Sequence, residues 1–155
     1  MLPIITIPNP ILRAKSLPVS DVFTLEIQKL IPEMIDTMHE AQGVGIAAPQ
    51  VGKNICLVVV HNKGVDIPMI NPVIKSVSTK KVWGEEGCLS VPGKFGQVER
   101  YNRVTMEFID ATGEKRAIKT TGFFARVIQH ELDHLDGILY IDKAKDIQDG
   151  KPVRD

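Results

Sequence analysis

The chain has 155 residues, of which 43% are hydrophobic and 25% are charged, and its formal net charge is zero. This composition is typical of a globular protein and excludes a disordered, fibrous or membrane-spanning chain. We expect a single domain over residues 1–155, and we expect no direct binding to nucleic acid because the chain has no net positive charge.

The first eight residues contain two prolines and no basic residue, so we expect neither a signal peptide nor a transit peptide. No apolar run approaches the length that crosses a membrane. The two cysteines, Cys56 and Cys88, are too few for a disulfide framework. We therefore expect a cytoplasmic protein of bacterial type, with an organelle as the alternative location.

Residues 1–20 contain four prolines, which predicts an extended arm over the core. The first helix is predicted to begin after a cap at Ser20 or Asp21, because apolar residues recur at helical spacing from there to Gln42. Gly43 is predicted to end it. Pro32 lies inside this segment and predicts a kink or a new start.

Residues 43–50 read Gly-Val-Gly-Ile-Ala-Ala-Pro-Gln and are predicted to form a loop or an edge strand. Further strands are predicted at 55–60, 68–77, 81–84, 102–110 and 115–119. Strands followed by a helix, without regular alternation, predict an α+β fold. We expect mostly antiparallel sheets packed around the C-terminal helix, together with the N-terminal helix. The polar tail after residue 142 is expected to be loose, above all at 150–155.

The last helix is predicted to begin near Thr120 or Thr121 and to end at Gly137. It carries a His-Glu-x-x-His pattern at His130, Glu131 and His134. Residues four apart lie on one helix face, so the two imidazoles can bind one metal ion while the carboxylate activates a metal-bound water. The alternative is a solvated helix that carries two histidines by chance.

A catalytic metal site usually has three protein ligands and one open position, so a third ligand is needed. Glu131 is the last glutamate in the chain, and Tyr140 stands where metzincins have their third histidine. Asp142 and Asp146 are alternative third ligands, through their carboxylates. Cys88 is the stronger candidate because it lies in a charged, glycine-rich stretch at 85–93, where nothing explains a core cysteine.

A closed structural site would need a fourth ligand, either Cys56 or one of the histidines His39 and His61. Cys56 lies in an apolar run and is predicted to be a core residue. None of the three flanks a second ligand at short spacing. An open, catalytic site is therefore favoured.

Three segments resemble the signature motifs of the peptide deformylase family, namely 43–50, Glu-Gly-Cys-Leu-Ser at 86–90 and Gln-His-Glu-Leu-Asp-His-Leu-Asp-Gly at 129–137. Their order and approximate separations also match. The resemblance implies a hydrolase that removes the formyl group from N-terminal formyl-methionine and releases formate. Its implied partners are N-formylmethionyl peptides, as nascent chains at the ribosome, and no membrane is implied.

The resemblance assigns the metal ligands to Cys88, His130 and His134. It implies ferrous iron, whereas two nitrogens and a thiolate suit zinc on ligand chemistry alone. Nickel and cobalt are further candidates for the same site. Two other readings stay open at this point, a metalloprotease that uses the same helix and a non-catalytic protein that binds formylated peptides.

The resemblance also implies the residues that act on the substrate. Glu131 is the expected general base and acid for a metal-bound hydroxide, and the oxyanion donors are the Gln50 side-chain amide and the Leu89 backbone N–H. Gly45 would let the peptide backbone approach closely.

A methionine pocket is expected from Val44, Phe123 and Val127, because the last two share the helix face of His130. Packing of that face on the sheet is the equally weighted alternative. Whether Arg126 pairs with a carboxylate such as Glu86 is left open.

Overall fold

The computed structural model describes residues 1–150, and this part contains two α-helices and eight strands. In chain order the elements are α1 (Leu25–Glu40), β1 (Gly45–Ala47), β2 (Leu57–Asn62), β3 (Val65–Val77), β4 (Lys81–Cys88), β5 (Val91–Tyr101), β6 (Arg103–Ile109), β7 (Lys115–Thr121), α2 (Gly122–Leu135) and β8 (Lys145–Asp149). Short 3-10 turns lie at Pro10–Arg13, Ala48–Val51 and Tyr140–Asp142. Neither α-helix of the described part is long and apolar enough to cross a membrane.

The strands form two antiparallel sheets. The larger has the order β1-β2-β3-β6-β7, and the smaller has the order β4-β5-β8. β2 is apolar at every position from Leu57 to Val60, and all four residues are fully buried. Leu57 and Val59 pack with α1, while Val58 and Val60 pack with α2, because successive side chains point to opposite faces of a strand. The larger sheet is therefore covered on both faces, and the predicted α+β class is confirmed.

Both ends of α1 differ from the prediction. The helix is capped by Thr24, whose hydroxyl accepts from the Ile27 N–H, while the Asp21 carboxylate accepts from the Phe23 N–H in a local turn. At the other end Gln42, not Gly43, takes the left-handed conformation (φ 60°). The Gly43 N–H then reaches back to the Met38 carbonyl, as a Schellman motif requires. The helix continues through Pro32 without a new start.

The smaller sheet was only partly predicted. The strand expected at 81–84 extends to Cys88, and β5 was missed because its first half is rich in glycine and polar residues. β8 lies in the tail that was expected to be loose, where it pairs with Lys94 and Phe95 of β5. Of the segment 150–155, residues 151–155 lie outside the described part.

The N-terminal arm is extended apart from one 3-10 turn, as predicted. Its backbone N–H groups at Ile5 and Ile7 donate to the carbonyls of Gln50 and Ser90, at 2.7 and 3.0 Å. The arm therefore braces the two loops that carry these residues.

Candidate metal centre

Cys88, His130 and His134 come together from two elements. Cys88 is the last residue of β4, and the two histidines stand one turn apart on α2. All three are buried, and their ligand atoms lie within 4.8 Å of one another. Cys88 Sγ is 3.4 Å from His134 Nε2. Tetrahedral bonds of about 2.3 Å to sulfur and about 2.0 Å to nitrogen put two ligand atoms roughly 3.5 Å apart, so this donor set fits a divalent transition ion.

Glu86 orients the first histidine. Its Oε1 lies 2.9 Å from His130 Nδ1. A carboxylate in this position accepts the Nδ1 proton, which leaves Nε2 as the ring nitrogen available to an ion. On its other side the His130 ring stacks on Tyr140, with centroids 6.1 Å apart. Tyr140, at the position of a metzincin ligand, therefore packs against the site.

The Glu86 carboxylate is held by two arginines. Arg100 donates from Nε and Nη2, each at 2.9 Å, and Arg126 Nη1 donates at 2.7 Å. The open question about Arg126 is thus answered by a pair with Glu86. Burial alone would raise the pKa of Glu86, but the hydrogen bonds and charges of Arg100 and His130 hold that pKa far below its usual range. Glu86 is therefore an anion at neutral pH.

His134 is fully buried, and burial lowers its pKa well below the usual value, with a smaller effect from the charges of His130 and Arg100. It is thus a neutral imidazole, which is the form that binds metals. The cluster can therefore accept a cation, because His134 is uncharged and His130 contacts the Glu86 anion.

Glu131 is fully buried and lies against Gly45 of β1. A Cβ added to Gly45 would overlap Glu131 Oε2 and would lie 2.9 Å from Val127 Cγ1. The glycine is therefore required by a contact within the chain. The expectation that a peptide backbone approaches here stays a prediction.

Gln50 lies in the 3-10 turn that follows β1. Its side-chain oxygen accepts from the Ala47 N–H at 2.9 Å, which fixes the amide orientation. The amide nitrogen donates to Ser90 Oγ at 3.1 Å and approaches Cys88 Sγ at 3.7 Å. Leu89 is in the tight turn that joins β4 to β5, next to Cys88. Gln50 therefore contacts Cys88 through its side chain, and Leu89 is the residue that follows Cys88 in the chain.

The expected pocket residues divide into two groups. Val44 and Val127 belong to one apolar cluster beside Gly45. Phe123 is 56% exposed and lines a different cavity, with Trp83 and Tyr101. The described structure thus brings two of the three apolar residues together near Glu131, and it places Phe123 apart from them.

The other candidate ligands lie elsewhere. Asp142 pairs with Arg13 at 2.6 Å and accepts from the Leu139 N–H, and Cys56 Sγ points to the Ser16 carbonyl. His39 and His61 contact each other, with ring centroids 5.2 Å apart. None of these belongs to the cluster around Cys88 in the described residues.

Sequence reasoning missed two residues that hold α2 in place. Arg100 bridges Glu86 to Asp133, which it reaches at 2.6 Å. The Gln129 amide pairs with both the N–H and the carbonyl of Tyr101, at 3.0 and 2.9 Å. Both contacts involve β5, so they could not be predicted without that strand.

Comparison with known proteins places this geometry in a family. A profile of the polypeptide deformylase family matches residues 1–150. A peptide deformylase from Desulfitobacterium hafniense is 44% identical over 142 residues, covering 92% of this chain and 93% of the relative. The crystal structure of peptide deformylase from Thermotoga maritima superposes with a TM-score of 0.91 at 37% identity, covering 94% and 98% of the two chains. A deformylase from Synechococcus elongatus in complex with actinonin gives 0.90 at 36% identity, covering 94% and 79%. The chain therefore belongs to the polypeptide deformylase family of enzymes.

Proposed function

We propose that this protein hydrolyses the N-terminal formyl group of formyl-methionyl peptides and releases formate and a free amine. The observation that carries the proposal is the buried set of Cys88, His130 and His134, with Glu131 and Gln50 beside it, in a chain of this family. Nascent polypeptides at the ribosome are the proposed natural substrates. The proposed location is the cytoplasm, or an organelle that starts synthesis with formyl-methionine, and residues 1–155 act as one domain.

Cys88, His130 and His134 are the proposed ligands of one divalent ion. When bound, such an ion lowers the pKa of a coordinated water toward neutrality and polarises a carbonyl oxygen. Ferrous iron is proposed because of the family, although zinc, nickel or cobalt also suit the donor set. Glu86 supports this role, since its carboxylate fixes the His130 ring and offsets the positive charge brought by an ion.

Glu131 is the proposed general base and acid. It is the residue after His130 on α2, and its carboxylate is fully buried against Gly45 of β1. It takes a proton from the attacking water and returns it to the leaving amine, which must be protonated to depart. Gly45 keeps this carboxylate in place, because any larger residue there would displace it.

Gln50 and the Leu89 backbone N–H are the proposed donors to the oxyanion. The Gln50 amide is held by Ala47 and Ser90, so its second N–H is already aimed toward Cys88 and the ligand cluster. A donor fixed in this way needs little reorganisation during the reaction, and one such donor contributes about 3–4 kcal/mol to the transition state.

The peptide is proposed to bind along β1, which is an edge strand of the larger sheet. An edge strand can pair with an extended peptide through its backbone groups. Val44 and Val127 then provide an apolar wall for the methionine side chain, whereas Phe123 lines a separate cavity and is left out of this proposal. Two related deformylases were solved in complex with actinonin, which supports the binding of a ligand by proteins of this family.

The test is formate release from formyl-Met-Ala-Ser by metal-loaded protein, with Glu131→Gln as the variant. We expect Glu131→Gln to lower kcat by about 10²–10⁴ while the Cys88, His130 and His134 site still holds its ion. Glu85→Gln, an exposed neighbour of the site on β4, is the matched control and should keep full activity. Unchanged formate release in Glu131→Gln would refute the assigned role, and cleavage of the Met-Ala bond without formate would identify a protease instead.

A further inference from the structure

A second group of metal-binding side chains lies outside the site described above. His39 is in the last turn of α1, and His61 and Asp66 face each other across the β2–β3 hairpin. From the sequence, His39 and His61 were candidates only for a fourth ligand beside Cys88, His130 and His134. In the structure they form their own cluster with Asp66, whose ligand atoms all lie within 4.8 Å of one another.

The geometry of this cluster is convergent. Asp66 Oδ2 lies 2.8 Å from His39 Nε2, and Asp66 Oδ1 lies 2.7 Å from His61 Nδ1. One carboxylate therefore bridges two imidazoles. His61 and Asp66 are direct cross-strand partners, and the His61 backbone N–H also donates to the Val44 carbonyl at 2.8 Å, so two of the three ligands stand on a rigid hairpin.

We propose that His39, His61 and Asp66 form a second metal-binding site, for a borderline divalent ion such as Zn²⁺. Two imidazole nitrogens and one carboxylate oxygen form a common ligand set for such ions, and water would complete the coordination. Bonds of about 2.0–2.1 Å in a tetrahedral array need ligand atoms about 3.4 Å apart, so an ion enters if each histidine moves roughly 0.6 Å away from Asp66.

The cluster is open enough for this movement. The side chains of His39, His61 and Asp66 are 46%, 31% and 26% exposed, so an ion can reach them from solvent. Asp66 supplies the negative charge: burial tends to raise its pKa, but the hydrogen bonds from the two histidines hold that pKa below the usual value. A neutral imidazole can carry its proton on either ring nitrogen. Each histidine would therefore bind the ion through the nitrogen that now faces Asp66 and keep its proton on the other nitrogen, so no proton has to be released.

A bound ion would join the end of α1 to the β2–β3 hairpin. These elements are distant in sequence and otherwise meet through the core, so an ion that binds only the folded chain must raise its stability. The site is independent of the proposed hydrolysis, because none of its residues belongs to the Cys88 cluster.

The experiment is equilibrium dialysis of zinc-loaded protein against micromolar Zn²⁺, with bound metal counted per chain. We expect two zinc ions per wild-type chain and one in the His39→Gln/His61→Gln double variant, and Asp66→Asn should weaken the second site at least tenfold. The midpoint temperature of thermal unfolding should rise with added Zn²⁺ in the wild type and should not rise in the double variant.

Lys63→Gln, in the turn between β2 and β3, is the matched control and should still bind two ions. One ion per wild-type chain would overturn the proposal, and so would two ions in the double variant. The glutamine variants are expected to fold because the side chains of His39 and His61 are partly exposed. Unchanged hydrolysis of the formyl peptide by these variants would verify that the Cys88 site is intact.

Discussion

Replacing Glu86 with glutamine removes the anion at the centre of a buried network. In the wild type this carboxylate accepts hydrogen bonds from Arg100, Arg126 and His130, at 2.7–2.9 Å, and its side chain is 5% exposed. The glutamine is isosteric but uncharged, and its amide nitrogen must face a donor. Arg100, whose side chain is 3% exposed, is left with Asp133 as its remaining acidic partner in the described contacts.

The magnitude follows from the burial of these charges. Loss of one partner of a buried ion pair costs about 3–5 kcal/mol, because the other charge stays buried without full compensation. With an m-value of about 2 kcal/mol/M, the urea midpoint should fall by roughly 2 M. The affinity for the active-site ion should also fall by about 10–100-fold, because the His130 ring is no longer oriented by a carboxylate.

The assay is urea unfolding of metal-free protein, followed by circular dichroism, together with chelator competition for the ion. Glu85→Gln is the control, since that neighbouring carboxylate is exposed. The pKa of Glu86 is lowered in the fold, so its stabilisation is complete above about pH 5 and is lost as the pH falls below the ordinary carboxyl pKa. Glu86→Gln should therefore show a shallower loss of stability in acid. Equal urea midpoints for the two variants would refute the reasoning.

Three further outcomes are expected. Gln50→Ala should lower kcat by about 10²–10³ with little change in metal content. Gln148→Ala on the exposed strand β8 is the control and should have no effect. Equal kcat values for the two variants would exclude Gln50 as an oxyanion donor. Gly45→Ala should destabilise the fold by about 1–3 kcal/mol and reduce activity, because its Cβ overlaps Glu131, and a stable, active variant would contradict this packing. Anaerobic loading with Fe²⁺ should give much higher activity than loading with Zn²⁺, and equal or greater activity with zinc would reject iron as the working ion.

The local features of the fold were predictable because they depend on spacing within one segment. The period of apolar residues located α1, and a cap and a glycine stop located α2. The His-Glu-x-x-His pattern put His130 and His134 on one face of α2. Cys88 was inferred by elimination of other ligand types, and the structure brings it to the two histidines. Its role, like that of Glu131, stays a prediction until activity is measured.

The features that were missed depend on pairing between distant segments. β5 has polar and glycine residues that resemble a loop, and it becomes a strand through its pairing with β4. The bridge from Glu86 through Arg100 to Asp133 requires that strand, so no local pattern indicates it. The choice of Thr24 over Asp21 as the helix cap was likewise decided by which side chain reaches a free N–H of the first turn.

The central claim is that the buried Cys88, His130 and His134 set serves hydrolysis of a formyl group. The most direct measurement quantifies formate and new N-terminal amine in one sample of formyl-Met-Ala-Ser, with anaerobically iron-loaded protein. We expect the two products in equal amounts, an intact Met-Ala bond, and no formate from a Cys88→Ala variant that has lost the ion. Amine without formate, or no turnover by protein with a full complement of iron, would contradict the account.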